Sequence, residues 1–251
     1  MTDNNELRFQ AGSLRETLSV PADAPIDVFA LIARTNIYTL VEYPFSDRIS
    51  GMSIQIPQGN RIIAVNMNDT LGRQRFTCAH ELYHLNFQKG FTSVVCPSGF
   101  SGKIENERSA DSFASHFLAP NVALDKQIYE RKLNNRPFTS TDIIDLEQFF
   151  GMSHQAMLYR LRVEKFINEA EYERFKTDGA STLALSLGYD NSLYKPRNSE
   201  KIPFLTGEYV RLANELLKGD KVSQGYYNQI IREGFRSDLL NSDITEKQLN
   251  D

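Results

Sequence analysis

Apolar positions along the chain change period several times, and the changes divide it into elements. Residues 7–18 carry a helical spacing with a polar, mixed-charge surface. Asp23, Ala24 and Pro25 read as the start of a second helix, with Ile26, Phe29, Ala30 and Ala33 on one face. Three β-rich runs follow: NIYTLVEY (36–43), GMSIQIP (51–57) and RIIAVNM (61–67). The second alternates strictly, setting Met52, Ile54 and Ile56 on one side. Gln58-Gly59-Asn60 is a compact turn, so the second and third runs predict a hairpin, and the three together a small sheet. The period then returns to helical through Arg73–Lys89. Residues 90–104, rich in Gly, Ser and Pro, read as a loop. IENERSADSFASHFLA (104–119) is a strong helix stopped by Pro120, and another is expected over 121–133. In 139–167 two helical patterns flank Gly151, with Ser153 placed as an N-cap, which is compatible with a helix-turn-helix. Residues 180–203, punctuated by Gly and Pro, read as a linker. A helical pair, GEYVRLANELLKG and SQGYYNQIIREGF, ends the pattern; its apolar Tyr209, Leu212, Leu216, Tyr226, Ile230 and Phe235 suit packing on the core first, and substrate recognition or dimerisation as alternatives. The fold class expected is α+β: a small twisted sheet against one helix, then an all-helical region. The divisions are 1–135, 136–178 and 179–251.

Composition narrows the picture modestly. At 251 residues, 41% hydrophobic and 24% charged, the chain is long enough for a substantial core. A net charge of −4 argues against broad, nonspecific binding to nucleic acid. Two cysteines, Cys78 and Cys96, make no disulfide framework and fit a reducing compartment. The amino-terminal stretch has no apolar core of a secretory signal, and no apolar run approaches the roughly 20 residues that span a bilayer. A soluble, cytoplasmic protein is the expectation.

The chemistry concentrates in HELYH. There are only four histidines, and two of them, His80 and His84, stand four apart with Glu81 between. On a helix, positions four apart share a face, so both imidazoles can address one ion. Neutral imidazole suits Zn²⁺, and a carboxylate at the adjacent position can take a proton from a water that the ion has acidified. A catalytic zinc site needs a third protein ligand. His116 and His154 lack partners at suggestive spacing and read as packing or surface residues. Helix 104–119 offers Glu107, with Asp111 one turn later on the same face. Glu107 is the expected third ligand, and Asp111 the acceptor for the second N–H of a ligand histidine, His80. Glu105 competes with Glu107 but has no carboxylate one turn on. Cys78 faces away from His80. Cys96, in the Gly- and Ser-rich segment, could approach the site, but a cysteine ligand would fill the position that catalysis keeps open.

These residues carry a resemblance. RQRFTCAHELYH followed by ERSADSFASHFLAP resembles the ImmA/IrrE metallopeptidases, through Arg75, Phe76, Thr77, Ala79, His80, Glu81 and His84, then Glu107, Ala110, Asp111, Phe113, Ala114, Leu118 and Pro120. In the second of these stretches His116-Phe117-Leu118 replaces a commoner run, and FFGMSHQAMLYRL (149–161) is similar to a further family segment, with Met152 where valine is usual. The similarity covers about 25–167 well and 180–251 loosely. It implies a gluzincin-like core, zinc on His80, His84 and Glu107, catalysis by Glu81, and a helix-turn-helix repressor as protein substrate.

Three further expectations follow. Arg61–Asn66 would be an edge strand, with Ile63, Ala64 and Val65 taking an extended substrate by main-chain hydrogen bonds. Two rivals stand beside the protease reading. One is a DNA-binding regulator using residues 139–167 with Arg160, Arg162 and Lys165. The other is a repressor-binding module that holds zinc without cutting.

Overall fold

In the computed structural model the described residues are 4–56, 59–97, 105–197 and 200–241. Helix α1 (Asn4–Thr17) packs along α4 (Glu105–Leu118). The buried Arg15 fastens the two: its guanidinium donates to the Phe117 carbonyl at 2.7 Å and to the Ala24 carbonyl at 2.6 Å. Paying out three carbonyls this way, including that of Pro21, is what allows a cation inside an apolar interface. Helix α2 (Val28–Arg34) begins later than its sequence suggests. Asp27, not Asp23, is the N-cap, because its carboxylate accepts from the Phe29 and Ala30 amides.

Among the described residues the sheet has five strands: β1 (Tyr38–Tyr43), β2 (Ile49–Gln55), β3 (Arg61–Asn66), β4 (Ser93–Pro97) and β5 (Phe204–Gly207). Their order is β4-β2-β3-β1-β5. β2 and β3 form the expected antiparallel hairpin, and β1 lies parallel to β3. Gly59 supplies the turn's positive φ of 99°. Pro57 and Gln58 of that turn lie outside the described residues.

Two strands are additions. β4 rises out of the segment read as loop and pairs with β2; the rest of that segment, 98–104, lies outside the described residues. β5 begins directly after the supposed linker, which itself holds helix α9 (Ala180–Ser186), and pairs antiparallel with β1. Both are short, and an edge strand needs only one row of ladder hydrogen bonds, so their local sequence signal is weak.

The order corrects the substrate-strand expectation. Arg61–Asn66 is interior, bonded to β1 on one side and β2 on the other. The main-chain groups of Ile63, Ala64 and Val65 are already engaged, and their side chains are buried. None of the three can take a substrate strand. The edges are β4 and β5.

Helix α3 (Leu71–Phe87) lies across β2 and β3 and packs most closely with α4. β2 turns an unexpected face to it. Gly51 and Ser53 are buried, whereas Met52 and Ile54 on the apolar side are only half-buried. A Cβ on Gly51 would stand 2.5 Å from Thr77 Cγ2 and 2.8 Å from the Ala64 carbonyl. Only glycine lets α3 come this near the sheet.

Helices α5 (Asn121–Glu130), α6 (Ser140–Phe150), α7 (His154–Val163) and α8 (Glu169–Phe175) follow. Gly151 ends α6 with φ 65°, and Ser153 caps α7 through the Ala156 amide. Arg75 reaches this turn, its guanidinium lying where a Gly151 side chain would be, and Gly72 leaves room for the Ser153 backbone. The α6–α7 turn is thus seated on the amino-terminal part of α3. One buried cluster runs from Leu7 to Phe175 through both regions. Helices α10 (Glu208–Lys218), α11 (Gln224–Glu233) and α12 (Asp238–Asn241) close the described chain. No helix among the described residues is long and apolar enough to cross a membrane.

Candidate active site

Three elements build the site. α3 projects His80, Glu81 and His84; α4 brings Glu107 and Asp111 from its first two turns; β4 brings Cys96. All six are buried, at 9% exposure or less. Glu81 faces Gly51 and Ser53 on β2.

The donor atoms converge. His80 Nε2 and His84 Nε2 are 3.1 Å apart. Glu107 Oε2 lies 3.2 Å from His80 Nε2, and Oε1 lies 3.5 Å from His84 Nε2. Tetrahedral ligands with bonds of about 2.1 Å to an ion such as zinc stand about 3.4 Å apart. Two imidazole nitrogens and a carboxylate at these separations fit that geometry. The tautomers fit as well. His80 Nδ1 stands 2.8 Å from Asp111 Oδ1, and His84 Nδ1 stands 2.5 Å from Gln88 Oε1. A carboxylate and an amide oxygen can only accept, so both Nδ1 atoms carry hydrogen and both Nε2 lone pairs turn inward.

The electrostatics agree. Burial opposes charge on His80, but its hydrogen bonds to Asp111, Cys96 and Glu107 outweigh this and raise its pKa well above the imidazole range. Burial and the charge on His80 push His84 down to about 4. Burial works against the Glu107 carboxylate too, yet His80 and His84 bring its pKa below the usual value. The cluster is arranged around a cation.

Glu81 is wholly buried, and burial raises its pKa. Ser53 Oγ donates to Glu81 Oε2 at 2.6 Å, while Oε1 has no partner. An unpartnered buried carboxylate oxygen is costly and is tolerated where it has a task. Here it can accept a proton from whatever lies beside the donor cluster.

His80, Glu81, His84, Glu107 and Asp111 come together as the spacing predicts. Glu105 is exposed and outside the cluster. His116 is bonded to Asn121 and Asn4, and His154 to Glu147 and the Phe175 carbonyl, both away from the site. Two contributors, Ser53 and Gln88, escape sequence reasoning, and a third, Cys96, was weighed but set aside. Ser53 comes from a strand with no contact to α3 along the chain. Gln88 had a usable signal, standing four residues beyond His84. Cys96 approaches more closely than expected: its Sγ is 3.4 Å from His80 Nε2 and 3.8 Å from His84 Nε2. His80, His84, Cys96 and Glu107 form one group of four mutually close donors. Tyr83, by contrast, packs on Phe87 and Phe113.

Among curated proteins, none matches this chain. The M78 peptidase model, described as the IrrE N-terminal-like domain, matches residues 34–162. That span runs from the end of α2 to the end of α7 and contains every donor named above, so the chain belongs to the IrrE N-terminal-like family of M78 metallopeptidases.

Proposed function

We propose that this protein is a zinc-dependent endopeptidase that cuts a helix-turn-helix transcriptional repressor at one site. One observation carries the reading: a His80–His84–Glu107 donor set beside a buried Glu81 whose Oε1 is unpartnered. Zinc held by those three residues would polarise a peptide carbonyl and acidify a water.

The chain's own residues do the rest. Asp111 and Gln88 hold the two imidazoles in the ligating tautomer. Ser53 fixes one oxygen of Glu81 and leaves Oε1 for the proton of the attacking water. Burial raises the basicity of this carboxylate, so it takes the proton more readily than an exposed glutamate would. The same oxygen then delivers the proton to the leaving amine. Among the described residues an extended substrate has one suitable rim beside the donors: the outer edge of β4, which there pairs with β2 alone. A peptide could add there as a further strand. The repressor substrate itself rests on family membership.

The DNA-reading alternative loses its main cation. Arg160 is fully buried, donating to the Ala119 carbonyl and Asn121 and pairing with Glu164. Arg162 pairs with Glu169 and lies over the Tyr172 ring at 4.3 Å. Arg160 is thus spent inside the protein and Arg162 in a partly exposed ion pair, while Lys165 stays exposed. Occlusion without cutting draws on one observation, the sulfur of Cys96 near the donors, since closed four-ligand sites are characteristically structural.

The deciding experiment compares new protein amino-termini in cells expressing wild type or Glu81→Gln. A single cut in a helix-turn-helix repressor, seen with wild type only, is expected. With purified repressor the variant should lose about 10²–10⁴ in rate while keeping its metal and its grip on the repressor. Identical sets of termini would overturn the protease reading.

A further inference from the structure

Cys96 is the one member of the four-donor group that peptide hydrolysis does not call for. Its place is built by the fold. β4 pairs antiparallel with β2, and the register slips between Ile49 and Gly51, opposite Pro97 and Cys96. Within the regular part of the ladder Val95 stands opposite Met52 and Cys96 opposite Gly51, so alternation leaves Val95 about half exposed and turns Cys96 to the buried face at 3% exposure. Sγ then lies 3.4 and 3.8 Å from the two inward-facing Nε2 atoms. With a sulfur bond of about 2.3 Å and nitrogen bonds of about 2.0–2.1 Å, tetrahedral ligands to zinc stand about 3.6 Å apart.

We infer that Cys96 is the fourth ligand of the metal in the resting protein, closing the coordination shell over the position that a reacting water needs. This rests on the metal site of the preceding section and adds a latent state to it. The thiol binds as the thiolate and releases its proton, and no oxidant is involved. Opening requires Cys96 to leave. Among the described residues it sits on an edge strand bonded on one side, the same strand whose outer edge suits an incoming peptide. Strand addition to β4 would then both dock the substrate and draw the sulfur away. Cys78 offers no substitute: it is fully buried in the apolar core and absent from the donor group.

The test uses the full chain loaded with Co²⁺ alone. Wild type should show the visible bands of a tetrahedral cobalt centre together with a near-ultraviolet sulfur-to-cobalt charge-transfer band. Cys96→Ser should keep the first and lose the second, and its metal affinity should fall at least tenfold, the lower bound for losing even an outer-shell partner. Cys78→Ala should retain both. Tetrahedral bands without the sulfur band in wild type would overturn the fourth-ligand inference and leave the three-ligand site standing. Absence of any cobalt bands would overturn the metal site as well. Because wild type itself decides, the result stands even if Cys96→Ser fails to fold.

Discussion

At the scale of single residues the site is a problem of orientation. An imidazole free to rotate presents either nitrogen, or neither, to an ion. Asp111 and Gln88 remove that freedom by accepting from Nδ1 of His80 and His84. Outer partners of this kind are commonly worth 10- to 100-fold in metal affinity. Asp111→Ala and Gln88→Ala should each weaken binding by about that factor, without changing the number of ions bound. Competition against a chromophoric chelator measures it, and unchanged affinity in both would mean packing alone orients the rings. Gln88 is the C-cap residue of α3, so its side chain is positioned by the helix that carries its histidine.

At the scale of elements, the α6–α7 pair has to present a firm turn to α3. α6 starts with a capping box: Thr139 accepts from the Asp142 amide, and the Asp142 carboxylate accepts from the Thr139 amide. Arg136 grips the same carboxylate with two hydrogen bonds of 2.6 Å. Burial opposes the charge on Asp142, but Arg136 and Thr139 overcome it, and its pKa falls below the ordinary value. A depressed folded-state pKa gives stability that is fully present above the unfolded value, near 3.9, and is lost as pH falls through the folded one. Asp142→Asn should therefore cost about 1–2 kcal/mol at neutral pH. The gap between wild type and variant should shrink as pH drops toward about 3. Urea melts at the two pH values read this directly, and a gap independent of pH would remove Asp142 as its source.

At the scale of the whole molecule, the tail is tied into the sheet. β5 covers the edge of β1, and Gly207 makes the junction possible. At φ 92°, ψ −141°, with a Cβ that would stand 2.4 Å from the Tyr38 carbonyl, only glycine fits. Leu205, Ala213 and Ile231 are buried behind it, and Arg236 donates to the Leu205 carbonyl. Ending the chain after Arg197 should lower the denaturation midpoint and promote association through the bared edge of β1. Gly207→Ala should cost about 1–3 kcal/mol. A truncated protein with the midpoint of the full chain would show that β5 only rests there.

The sequence by itself determined everything that follows from local spacing. HELYH places two histidines on one helical face, Glu107 and Asp111 repeat that spacing, and Gly151 with Ser153 marks the α6–α7 turn, because a helix makes positions four apart into neighbours wherever it sits. Tertiary structure alone decided what depends on partners distant along the chain. Strand order made Arg61–Asn66 interior, since a strand's own residues do not say which edge is already bonded. It also turned the polar face of β2 inward, brought Ser53 to Glu81, recruited β4 and β5 from segments too short to show a period, and carried Cys96 to the histidines. Each of those contacts is fixed by which backbone rows pair and how closely a helix lies on them, and neither is written in the period of any one segment.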